Sequence, residues 1–163
     1  MKILIIESIV LCFVFALSVY ILSRDPIKTL YNYPPNIQER VKSLEQYKGL
    51  VPTQEKKIST KLIASLVIVL VFSLIIRYIN GCTSFKDAFI NSFILWTIVN
   101  VFDALVMDVI WFCHDPYFVI KGTEDMVDDY HDYWFHIKQS MIGEVIALFV
   151  CMLVGFVVHF VLK

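Results

Sequence analysis

The chain lacks the motifs by which most catalytic classes are recognised. It contains no P-loop and no G-x-G-x-x-G, its histidines form no closely spaced cluster, and no Ser-His-Asp pattern can be placed. The four cysteines are scattered without C-x-x-C spacing, so neither a disulfide framework nor a zinc finger is expected. Function must therefore be argued from the placement of individual residues.

Polar residues are scarce over four long stretches of the chain. The sequence is 58% hydrophobic with a mean hydropathy of +0.71, whereas soluble domains are usually about 45–50% apolar. Apolar stretches cover about residues 3–22, 62–79, 88–112 and 141–162, and each is close to the ~20 residues that a membrane-spanning helix needs. This pattern predicts an all-α, integral membrane four-helix bundle that forms a single transmembrane domain over residues 1–163. Glu7 interrupts the first stretch, which favours a retained helix over a cleaved signal peptide.

Basic residues are distributed unevenly between the connections. Eight lysines and arginines lie in the first connection, whereas the second is flanked only by Arg77 and Lys86. Because basic loops stay in the cytoplasm, this bias predicts a multi-pass cell-membrane protein with both termini outside. The net charge is −1, and no nucleic-acid partner is expected.

The first and third connections, about residues 24–61 and 113–140, are predicted to form a cytoplasmic cap. Asn36 is a candidate N-cap of an amphipathic helix that ends before Gly49. Thr123 is a candidate N-cap of one long helix, Glu124–Leu162, whose first third extends into the cytoplasm. Because the first connection is basic and the third acidic, the two should pack together.

Three carboxylates lie where hydrocarbon should not tolerate them. Asp103 and Asp108 fall in the inner half of the third apolar stretch, and Glu144 enters the fourth at a similar depth. No lysine or arginine lies within these two stretches at that depth, so the carboxylates must bind protons or a cation, or face water. We therefore take Asp103, Asp108 and Glu144 as the candidate catalytic residues. Five residues correspond to about 140° on an α-helix, so Asp103 and Asp108 should not point at the same centre.

Histidines near this depth suggest a divalent metal as a candidate cofactor. His114 or His136 could share a proton or a metal with the three carboxylates. Asp128, Asp132 and His136 repeat at four-residue spacing, and His131 follows Asp128 by three; carboxylate and imidazole at such spacings can share a metal. A solvated acidic helix face would give the same pattern. Aromatic residues in this region fit either ordinary membrane anchoring or the lining of a lipid pocket.

A second polar cluster is predicted near the outer surface. Glu7, Arg77 and His159 fall at one level when the helices alternate in direction. An ion pair of Glu7 with Arg77 or His159 is the simpler interpretation, and a functional site is the alternative.

Three classes of function remain open on the sequence. The protein could be a membrane enzyme that acts on a lipid-like substrate at the inner carboxylates, with or without a divalent metal. It could instead be a small transporter or channel subunit that binds protons or cations, or a non-catalytic scaffold that recruits a partner through its charged cap. The lipid bilayer is the expected environment, and a second copy of the chain or another membrane protein is a candidate partner. The outer half of the third stretch is largely apolar, which favours a site over a conduit.

Overall fold

The regular structure is helical throughout the described residues. The computed structural model describes Lys2–Leu162, apart from the side chains of Lys2, Gln54 and Lys57. Three long helices continue into π-helical segments, in which backbone hydrogen bonds join residues five apart. The first half of the described chain contains α1 (Lys2–Leu22), a 3-10 turn (Leu30–Asn32), α2 (Pro35–Ser43), a 3-10 turn (Glu45–Tyr47), and α3 (Gln54–Leu74) with a π segment (Ile75–Ile79). The second half contains α4 (Phe85–Phe102) with a π segment (Asp103–Phe112), a 3-10 turn (Pro116–Phe118), α5 (Val127–Tyr130), and α6 (Tyr133–Phe156) with a π segment (Val157–Val161).

Four helical regions are long and apolar enough to span a membrane. They cover Ile3–Leu22, Ile58–Ile79, Phe85–Phe112 and Val127–Val161. The first three match the predicted stretches to within four residues, and the fourth begins earlier than predicted. Large apolar side chains on these helices are exposed, with Phe13 70% and Phe149 64% accessible. Contiguous apolar surface of this kind suits contact with lipid, and the four helices suggest a multi-pass membrane protein.

The long helices pack around α4 and α6, which form the most extensive helix pair. α1 packs on α4, and α3 packs on α6. Their shared core consists of Val69, Phe72, Ile76, Ala88, Leu95, Val150, Val154 and Val158. Gly155 permits the closest approach, because a Cβ at that position would lie 3.1 Å from two ring carbons and the carbonyl oxygen of Phe85. α4 begins at Phe85, and the hydroxyl of its N-cap residue Ser84 accepts a hydrogen bond from the Asp87 N–H at 3.1 Å.

A second core lies where the first and third connections pack together, as predicted for the cap. It consists of Leu30, Tyr33, Ile37, Val41, Phe112, Cys113, Phe118, Ile120 and Tyr130. The Tyr33 hydroxyl donates a hydrogen bond to the carbonyl oxygen of Phe118 at 3.1 Å. Burial raises the pKa of Tyr33, so its hydroxyl remains a donor at neutral pH. We use the term cap for residues 24–53 and 113–132, because α3 and α6 begin at Gln54 and Tyr133.

Among the described side chains, the opposite charges of the two connections meet at the surface of the cap. The Arg40 guanidinium lies 3.7 Å from the Asp125 carboxylate, and both side chains are largely exposed. Asn36 donates a hydrogen bond to Asp129 at 2.6 Å. Exposed ion pairs contribute about 0–1 kcal/mol, so the apolar core, and not the charge, accounts for most of the packing.

The predicted bounds of the first cap helix were wrong. α2 begins at Pro35, so Pro34 and not Asn36 occupies the N-cap position. Proline suits the first helical turn because its φ is already helical and it has no N–H to satisfy. The helix ends at Ser43, since Leu44 adopts an extended backbone with ψ 122°, well before Gly49.

The predicted continuous helix Glu124–Leu162 is interrupted. α5 is a single turn, and the backbone leaves the helix at His131. α6 then begins at Tyr133 with Asp132 as its N-cap. The Asp132 carboxylate accepts a hydrogen bond from the Phe135 N–H at 2.9 Å. Thr123 is buried in a turn and caps no helix; its hydroxyl lies 2.8 Å from that of Tyr130. Two effects account for the interruption: tertiary contacts draw Tyr130 into the cap core, and an aspartate favours the N-cap position.

Candidate functional site

Asp103 and Asp108 line one cavity at the junction of the long helices and the cap. The prediction that they could not face the same centre was wrong, because it assumed α-helical geometry. Asp103–Phe112 is a π segment, and the Cys113 N–H donates to the Asp108 carbonyl five residues earlier at 3.0 Å. In a helix bonded at i+5, residues five apart lie nearly above one another. Such segments are rare and often occur at functional sites.

The Asp108 carboxylate is paired with a buried histidine. Oδ2 of Asp108 lies 3.3 Å from Nδ1 of His136, whose side chain is 3% exposed against 28% for Asp108. The His136 ring packs against Phe112, with ring centroids 4.9 Å apart. Its other nitrogen, Nε2, is buried and has no hydrogen-bond partner within the described residues. An unsatisfied buried nitrogen is costly, and the His136 side chain that carries it lines the cavity.

Glu144 belongs to a neighbouring hydrogen-bond network between α4 and α6. Its carboxylate accepts hydrogen bonds from the Thr97 hydroxyl and, at 2.8 Å, from the Asn100 amide. Asn100 also donates to the carbonyl oxygen of Ser140 at 3.1 Å. Glu144 therefore faces the interface between the two helices, and Asn100 and not Glu144 lines the cavity. The three candidate carboxylates form two adjoining groups linked through Asn100.

Gly143 provides the space in which Asn100 lies. A Cβ at Gly143 would lie 3.2 Å from the amide oxygen of Asn100. The missing side chain lets Asn100 reach both Ser140 and Glu144, and so connects the cavity wall to the network.

The cavity has a volume of about 690 Å³ and a wall of mixed chemistry. Apolar side chains of α1 and α6, including Phe15, Val19 and Ile146, contribute to it. The carboxylates of Asp103 and Asp108 also line it, together with residues of the cap. Its volume falls in the range of about 300–1,000 Å³ that is usual for small-molecule sites.

His114 lies away from this cavity. It lines a smaller cavity of about 200 Å³ together with His131, and the two imidazole rings lie 5.1 Å apart. Nε2 of His114 is 3.2 Å from the hydroxyl of Tyr133. Of the two histidines that were predicted to join the carboxylates, only His136 does so.

The predicted metal ligands are not gathered into one group. Asp128 is exposed, Asp132 caps α6, and the break at His131 removes the four-residue alignment that ran from Asp128 to His136. Within Lys2–Leu162, with the side chains named above excluded, no group of three or more His, Cys, Asp or Glu residues is arranged to hold a metal ion.

The predicted ion pair of the second polar cluster is not formed. Glu7 accepts a hydrogen bond from the Asn80 side chain at 3.2 Å. Arg77 donates a hydrogen bond to the carbonyl oxygen of Leu162 at 2.6 Å. Nδ1 of His159 lies 3.0 Å from the carbonyl oxygen of Thr83. Carbonyl groups at helix ends and in turns lack intrahelical partners, and the side chains of Arg77 and His159 satisfy two of them.

Two contributors to the site were missed or underrated in the sequence. Thr97 lies three residues before Asn100, which places both on one face of a helix, and this spacing could have identified it. Lys61 lies in α3, just before the predicted second apolar stretch, and it also lines the cavity.

No protein-family model, curated protein or solved structure matches this chain. The proposal below therefore depends on the geometry described above.

Proposed function

We propose that the protein is a multi-pass membrane enzyme in which His136 acts as a general base on an amphiphilic substrate held in the main cavity. The observation that carries this proposal is the pairing of Asp108 with a buried histidine on the cavity wall, with Nδ1 3.3 Å from the carboxylate and Nε2 without a partner in the described chain. A carboxylate next to Nδ1 favours a proton on that nitrogen, which makes Nε2 the basic one.

The proposed chemistry is a proton transfer. Nε2 of His136 takes a proton from a hydroxyl or amine group of the substrate, so that a new N–H bond forms as the substrate's O–H or N–H bond breaks. Asp108 stabilises the resulting imidazolium. General-base catalysis of this kind contributes about 10²–10⁴-fold to the rate.

The composition of the cavity wall supports an amphiphilic substrate. Phe15, Val19 and Ile146 come from helices long and apolar enough to span a membrane, whereas Asn100 and Gln139 place polar groups on the same cavity. A molecule with an apolar chain and a polar head can satisfy both parts at once.

The proposal is tested by turnover in a lipid extract. Wild-type protein reconstituted into liposomes of total lipid extract should consume at least one species detectable by mass spectrometry, and His136→Gln should slow its consumption by about 100-fold or more. His159→Gln is the matched control, because that histidine contacts only a turn carbonyl and the neighbouring Phe160 ring and does not line the cavity. Equal turnover by wild type and His136→Gln, or no consumed species, contradicts the proposal.

We further propose that the cap lies in the cytoplasm and both termini lie outside, on the basis of the basic first connection. In a variant without the four native cysteines, Thr83→Cys should react with a membrane-impermeant maleimide on intact cells. Lys48→Cys should react only after permeabilisation; both positions are exposed. The reverse labelling pattern would overturn the orientation and place the cap outside.

A further inference from the structure

Asp103 differs from the other two carboxylates of the site in having no partner. Asp108 is paired with His136, and Glu144 accepts hydrogen bonds from Thr97 and Asn100. Asp103 lines the cavity and makes no hydrogen bond or ion pair within the described residues. Its carboxylate is thus free to contact whatever occupies the cavity.

The charges on the cavity wall favour a cation. Asp103 and Asp108 are the two carboxylates that line it, and Lys61 is the one lysine or arginine among the described lining residues. Lys61 lies at the start of the apolar part of α3 and is exposed, so it remains accessible to water. A carboxylate in a partly desolvated cavity is stabilised by an opposite charge placed directly on it.

The remainder of the cavity argues against a bare metal ion as that cation. The volume of about 690 Å³ far exceeds one ion, and apolar side chains such as Phe15, Val19 and Ile146 form part of the wall. In addition, the described chain offers no group of three side chains that could coordinate a metal. A cation that carries a long apolar chain fills the space and satisfies the charge.

We propose that the cavity selects an amphiphile with a primary amine head group, whose ammonium binds Asp103 and whose alkyl chain lies along α1 and α6. This inference rests on the proposed function, because it names the substrate class of the same cavity. The ammonium at Asp103 places the head of the molecule on the wall that also carries Asp108 and His136.

The inference is tested by photolabelling with three dodecyl probes that differ only in the head group. Each carries a diazirine in the alkyl chain and ends in an amine, an alcohol or a phosphate. The amine probe should label peptides of α1 and α6 that line the cavity, such as those containing Val19 and Ile146. Asp103→Asn should reduce this labelling by about tenfold or more, since a charge-assisted contact is lost.

Two variants separate loss of charge from loss of structure. Asp103→Glu keeps the carboxylate and should retain most of the amine labelling. Asp128→Asn removes an exposed carboxylate outside the cavity and should change nothing. If Asp103→Asn and Asp103→Glu abolish labelling alike, the charge does not select the ligand and the inference is overturned.

The three probes also distinguish failure of this inference from failure of the proposed function. Labelling of the cavity by the alcohol or phosphate probe as strongly as by the amine, unaffected by Asp103→Asn, overturns amine selection while an amphiphile site stands. If no probe labels the cavity, both the amine and the amphiphilic substrate are overturned.

Discussion

Leucine in place of Gly155 is expected to produce one of the two largest losses of stability, because α4 and α6 have no space for a side chain there. Even the Cβ of alanine would lie 3.1 Å from two ring carbons and the carbonyl oxygen of Phe85. Overpacking of this kind costs about 1–3 kcal/mol, and leucine should exceed the cost of alanine. Chemical denaturation in detergent micelles, followed by circular dichroism, measures the free energy of unfolding.

The Gly155 prediction has a matched control and a partial rescue. Val145→Leu enlarges a side chain on the exposed face of the same helix, where Val145 is 57% accessible, and should change the stability by less than about 0.5 kcal/mol. Phe85→Ala in the Gly155→Ala background should restore part of the loss, because it removes the ring but leaves the carbonyl. If Gly155→Leu is as stable as Val145→Leu, the close helix contact is not present.

Replacing Asn100 by leucine should give a second large loss, about 2–3 kcal/mol. The change removes two hydrogen bonds, to Glu144 at 2.8 Å and to the carbonyl of Ser140 at 3.1 Å. It leaves the Glu144 carboxylate with only the Thr97 hydroxyl. An acceptor that loses its donor between two helices incurs its full desolvation cost. The free energy of unfolding in detergent again provides the measurement.

Asn91→Leu is the control for this substitution on the same helix. Asn91 donates to the carbonyl of Asp87 at 2.8 Å near the helix start, where water can replace it, so its loss should be clearly smaller. In a Glu144→Gln background the cost of Asn100→Leu should fall, because a neutral amide is less expensive to leave unpaired. Equal costs for Asn91→Leu and Asn100→Leu would show that the network does not stabilise the helix pair.

The long helices could be predicted because their signal is local and repeated. The stretch at 3–22 and the start of α4 after Ser84 depend on apolar length and on one capping residue. The packing of the two connections was predicted from their opposite charges, but the contact in the structure comes mainly from apolar side chains such as Ile37 and Val41. Its physical reason is a tertiary core that the charges of the two connections do not specify.

The break at His131 shows where local reasoning failed. Apolar and aromatic residues at helical spacing continued through this point, so the sequence favoured one helix. The tertiary contact of Tyr130 with the cap core, together with the capping preference of Asp132, outweighed that periodicity. The predicted alignment of Asp128, Asp132 and His136 failed with it.

Sequence reasoning singled out several residues that lie at or beside the main cavity, but it did not give their geometry. Asp103, Asp108 and Glu144 could be identified from their charge in apolar stretches, and His136 from its depth. The pairing of Asp108 with His136 depends on helix packing, and the shared orientation of Asp103 and Asp108 depends on a π segment that no residue type specifies. The α-helical period of 3.6 residues does not describe the directions of the side chains over those ten positions.

The π segment also places one more residue between the two aspartates than an α-helical turn would hold. A helix wound this way accommodates more residues in each turn than an α-helix does, so the loss of one residue between Asp103 and Asp108 would let the backbone return to ordinary α-helical winding. The two aspartates would then lie four positions apart, on one face of an α-helix, and would still project in similar directions. Deletion of one residue here should therefore be tolerated better than an insertion, which would have to widen the turn further.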